Sequence, residues 1–202
     1  MAEAAIERVR DIHHHVRGTA ADGRAYSADD PHLLAWVHAA ECWCFLQACQ
    51  TYCGARIPAA EQDRYVGEMA RIAQALGAPQ APRSLAELDA FFTTVRPELT
   101  FDARTREVLH VLGTMRLPIP LPGLSRTLFL GAAAALLPPW ALDFMERSPA
   151  QRLRDRAAAR ALQWVAPSIR DAMAEGGLAW RACRRTGADY ASLWRWDGRA
   201  PG

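Results

Sequence analysis

No lysine occurs among the 202 residues; all 24 basic side chains are arginine. Its absence excludes covalent catalysis through a lysine Schiff base. An excess of either charge is lacking too. With 22 acidic groups the formal net charge is only +2, so the balance gives no reason to expect nucleic acid as a partner. Cysteine is scarce and its count is odd: Cys42, Cys44, Cys49 and Cys53 crowd together and Cys183 stands alone. That is not the pattern of a secreted disulfide framework. The opening run MAEAAIERVRDIHHH has no apolar h-region and so does not read as a signal peptide. The most apolar stretch, Leu124 to Leu137, is interrupted by Ser125, Arg126 and Thr127. As a helix it spans about 20 Å, short of the roughly 30 Å hydrocarbon core of a bilayer. These absences lead to the expectation of a cytoplasmic protein with no integral membrane segment. GxSxG, P-loop, GxGxxG and HExxH signatures are all missing.

What is there is helical. Half of the residues are hydrophobic and 23% are charged, which suits a compact domain with a real core. Apolar residues recur at spacings of three and four, and no convincing alternating strand appears, so the expected fold class is all-α. The first helix is expected over Glu3 to Val16, followed by a loop from Gly18 to Ser27. Asp29 and Asp30 before Pro31 signal a second helix, reaching about Cys53 and ended by Gly54. A third runs from Pro58 to Leu76-Gly77. Ser84 with Glu87 is a capping box opening a short helix to Val95. Asp102 opens another, which Gly113 is expected to stop. MRLPIPLPG reads as an extended link. The apolar helix follows, then LPPW, then a charged helix from Pro149 that Pro167 is expected to break or kink. The expected organisation is one helical domain over residues 1–175 and a basic, tryptophan-containing tail over 176–202.

Two stripes carry polar chemistry. His13, His14 and His15 are consecutive, so on a helix they point three ways and cannot share one metal. Only His13 shares a face with Ile6, Val9 and Val16. An imidazole on an apolar stripe is what a haem pocket requires. Periodicity alone leaves open a core histidine bonded to a backbone carbonyl. On the second helix His38, Cys42, Phe45, Cys49 and Cys53 fall within roughly an 80° arc. A zinc or haem-thiolate site is one reading of these cysteines, and packing as small buried hydrophobes is the better one. Asp22, Asp29, Asp30 and Glu41 are spread as caps and solvated charges. Arg184 and Arg185 beside Trp180 suit either an acidic partner or a solvated tail.

The run VRDIHHHVRG (Val9 to Gly18), followed by GRAYSADDPHLLAWVHA (Gly23 to Ala39), resembles the motifs of the family that contains MpaB-type and latex-clearing rubber oxygenases. The Asp63/Tyr65 helix and the LPIPLPGLSR…LLPPW stretch extend the likeness to about Met173. The resemblance implies an all-α domain with a globin-like core holding haem b. It implies His13 as the proximal iron ligand, with Val9 and Val16 flanking it and Trp36 and His38 supporting the pocket. It also implies dioxygen and a hydrophobic, isoprenoid-type substrate whose carbon–carbon double bonds are cleaved to carbonyls. No catalytic side chain is assigned beyond the ligand. In the family an Arg and a Thr one helical turn apart precede this histidine. They lie on an upstream helix, and only twelve residues precede His13 here, so that segment is expected to be missing from this chain. The alternatives are a non-catalytic haem-binding sensor and a haem-free truncated helical scaffold. Self-association into an oligomer is compatible with each.

Overall fold

The computed structural model describes residues 2–53, 56–116, 122–172 and 176–191. The described chain is all-α apart from one small hairpin. It divides into two compact units: Met1–Leu46 with Pro58–Arg104, and Gln47–Ile57 with Thr105–Gly202.

The first unit begins with α1 (Ala2–His15). Two three-residue strands follow, β1 (Arg17–Thr19) and β2 (Ala25–Ser27), paired antiparallel with Gly18 opposite Tyr26. Sequence reading makes this segment a loop; strands of three residues are too short to show an alternating pattern. The return is closed by Gly23, whose φ of 86° suits a residue without Cβ, and by Gly23 N–H donating to Ala20 O. Helix α2 (Pro31–Tyr52) starts where the sequence signals it. The Asp30 carboxylate accepts from the His32 and Leu33 amides, satisfying two first-turn donors. Helix α3 (Ala59–Leu76) ends on Gly77 in the left-handed region, at φ 114°. Ser84 Oγ accepts from the Glu87 amide at the start of α4 (Leu85–Val95). Glu87 in turn accepts from the Arg83 amide, one residue before the position a capping box would use. The core here is small-residue packing: Leu34 and Ala35 from α2, Ala70 and Ala73 from α3, and Ala78 and Ala81 from the connector, with Phe91 against them. Leu88 and Val66 are fully buried.

The second unit holds α5 (Ala103–Thr114, its first two residues belonging to the first unit), α6 (Pro122–Leu136), α7 (Pro139–Phe144), α8 (Pro149–Ala172) and α9 (Leu178–Thr186). Helix α5 ends at Thr114, one residue past the glycine expected to stop it. Of the two outcomes expected at Pro167, the break does not occur: α8 continues to Ala172 with the exposed ring facing solvent, and one missing backbone hydrogen bond is outweighed by 24 residues of helix. LPPW leads into the short helix α7, for which proline at its first position is pre-set. Most of the expected extended link, residues 117–121, lies outside the described residues, as does Gly54.

Helices α6 and α8 form the main packing of this unit. Gly131 permits their close approach: a Cβ there would lie 2.9 Å from the Ala158 Cβ. Ala132 is fully buried, and Leu162 is buried on α8. Asp155, also buried, is held by a fork of hydrogen bonds from Arg147 at 2.7–2.9 Å. Tyr52 donates to Ala132 O at 2.8 Å, tying the end of α2 to α6.

Candidate functional site

The three consecutive histidines sit on the last turn of α1. As helical phase requires, they part company. His14 Nδ1 meets Asp29 Oδ2 at 2.6 Å, and His15 Nδ1 bonds the Asp11 carbonyl, one turn back, at 2.6 Å. His13 differs from both. Its Nδ1 is buried and has no hydrogen-bond partner. A buried polar nitrogen left unpaired costs about 1–3 kcal/mol, so the position calls for a reason. The ring is half-buried, and its face of α1 carries Val9 and, just beyond the helix end, Val16, exposed at 37% and 46%. Ile12, beside it, is 56% exposed.

The chain after His13 is braced. Val16 N–H donates to His13 O, and Ala28 N–H donates to Val16 O, fastening β2 behind the helix end. Ser27 Oγ donates to Asp29, which also receives His14; these two hydrogen bonds, Ser27's first, hold the Asp29 carboxyl below its usual value of 3.8. Sequence reasoning made Asp29 a capping residue. Asp30 does the capping, and Asp29 anchors the neighbour of the candidate ligand. That role depends on a fold-back across the hairpin, which residue spacing did not reveal.

Trp36 and His38 lie on α2, in the same unit. Trp36 is half-buried and meets Phe92 edge-on, with centroids 5.8 Å apart and planes at 89°. His38 is buried, and its Nε2 is hydrogen-bonded to Cys42 Sγ at 3.4 Å. Burial lowers the His38 pKa from 6.5, against the pull of the Glu41 charge. Burial also pushes the Cys42 thiol up to about 11, with Glu41 adding to the rise. Without a metal, a neutral imidazole here meets a neutral thiol, as in a packing pair. Cys49, hydrogen-bonded to Cys53, is pushed to about 11 by burial first and by that neighbour second. Phe45, placed on the same stripe by sequence, is 61% exposed. Among the described residues no group of three or more His, Cys, Asp or Glu side chains could hold a metal ion, so the zinc reading of this stripe finds no support. A haem iron asks less of the chain, since one imidazole suffices on one side.

Among the described residues no helix is long and apolar enough to cross a membrane. Neither a curated protein nor a solved structure matches the chain. A family model does, over residues 1–167, a span that takes in His13, Trp36, His38 and helices α1 to α7. The chain therefore belongs to the family described as ER-bound oxygenase mpaB/B′/rubber oxygenase, catalytic domain.

Proposed function

We propose that this chain binds haem b through His13 and acts as an oxygenase on a hydrophobic, isoprenoid-type substrate. The observation that carries the reading is the buried, unpaired Nδ1 of His13 in a chain of an oxygenase family. The residues fit such a group: a ring nitrogen is free to take part in ligation, and Val9 and Val16 supply apolar flank for a porphyrin edge. When bound, haem b supplies the iron at which dioxygen is activated. The chain's own contribution is to hold and orient. His13 is placed by the last turn of α1 and by the hairpin that receives it. His14 and His15 leave the helix in other directions and are held at Nδ1 by Asp29 and by the Asp11 carbonyl. With haem bound, Val9 and Val16, exposed in the chain alone, would lie against the porphyrin edge, and Trp36 and the neutral His38 would support the pocket from α2.

Absorption spectra of protein expressed with added haem test the ligand. A Soret band is expected in the wild type and in His14→Ala, and its loss or displacement in His13→Ala. No band in the wild type, or an identical band in His13→Ala, would sink the assignment. Dioxygen uptake with a short polyprenyl substrate tests the activity separately; a stable Soret band without uptake would make the chain a haem-binding module.

A further inference from the structure

The outward face of α9 is chemically distinct within its unit. At about 100° per residue, Trp180, Arg181, Arg184 and Arg185 fall on one half of the helix and Ala179, Ala182 and Cys183 on the other. On that half Cys183 is 5% exposed, while Ala182 is half-buried and Ala179 exposed. The four remaining side chains line a cavity of about 560 Å³. The Arg184 guanidinium lies over the Trp180 ring, 4.9 Å from its centroid, which limits its freedom before any ligand arrives. Among the described residues, no carboxylate pairs with Arg181, Arg184 or Arg185. Asp189, the next acid along the chain, accepts from the Ala191 amide. A cavity of similar size in the first unit, about 600 Å³, is also lined by three arginines. There Glu68 shares the lining, and Arg64 is held by Glu61 at 3.3 Å and Glu68 at 3.5 Å. Among the described residues that line the α9 cavity there is no such counter-charge.

We propose that this cavity binds a phosphate group carried on a small soluble ligand. Guanidinium forks match phosphate oxygens in charge and geometry, and three of them converge here on one helix face. A bilayer is the less suitable source of that phosphate. An interfacial helix inserts large apolar side chains into the lipid, whereas the apolar half of α9 carries two alanines and the buried Cys183.

Calorimetric titration of the full chain with inorganic phosphate and with glycerol 2-phosphate, at constant ionic strength in chloride, tests the site. Saturable binding is expected, weakened about tenfold or more in the Arg184→Gln/Arg185→Gln double variant, since removing even one charge-assisted hydrogen bond lowers affinity more than several-fold. Arg71→Gln, in the other cavity, is expected to bind like the wild type. Far-UV circular dichroism checks that helix content is kept; if the double variant loses it, Arg181→Gln carries the same expectation. Absence of saturable binding, or unchanged affinity in the variants that keep their helices, overturns the proposal. So does binding to phosphatidylcholine vesicles containing phosphatidic acid with none to the soluble phosphates.

Discussion

His38 shows how a single side chain sets the conditions under which this protein holds together. Its folded-state pKa lies below 6.5, chiefly because it is buried. The unfolded chain therefore takes up the proton first. Stability owed to a neutral His38 is fully present above 6.5 and is lost as pH falls through the lower folded-state value. Thermal midpoints should drop as the solution is acidified below neutrality, and the drop should be shallower in His38→Leu, which has no proton to gain. Parallel acid limbs in the two proteins would remove His38 from this role. Sequence placed His38 on one stripe with Cys42, and that cysteine, one turn away, is its hydrogen-bond partner. The parting of His13 from His14 and His15 was legible for the same reason: helical phase is a local property. What phase could not show is that the His13 nitrogen would be left unpaired, nor that Asp29 would take His14. Both depend on how the chain folds back, and residue spacing carries no information about that.

Among the elements, helix starts were read best where a side chain performs the capping. Asp30 and Ser84 lie where their hydrogen bonds require, because a cap is set by residues adjacent in sequence. Proline was a poorer guide inside a helix. Pro167 weakens α8 by a finite amount, and α8 is held by more than its weakest residue. Gly131 has the opposite character. Periodicity gives it no prominence, yet it sets the spacing of α6 and α8. Gly131→Ala would press a methyl group against Ala158 and is expected to destabilise the protein by about 1–3 kcal/mol, the range for overpacked cores. Asp155→Ala, on the same interface, leaves Arg147 without its carboxylate and is expected to cost about 3 kcal/mol. Urea unfolding measures both. A change within error for Gly131→Ala would mean that the two helices can part to admit the methyl group at no cost.

At the scale of the whole molecule, the division into two units does not follow the chain order. Residues 47–57 are counted with the second unit although residues on both sides of them belong to the first. Helix α2 is the continuous element concerned: it contributes Pro31 to Leu46 to one unit and Gln47 to Tyr52 to the other. A helix propagates cooperatively, each turn templating the next, so a break at this junction is expected to be felt on both sides of it. Gln47→Pro removes a backbone donor and crowds the preceding turn, at about 3 kcal/mol or more. Hydrogen exchange in that variant is expected to accelerate in α3 and α4 and also in α6 and α8; acceleration in one set alone would show that the units open independently. If both respond, α2 works as a common axle. Neither unit then has a folding equilibrium of its own, and any ligand that steadies one of them slows the opening of the other.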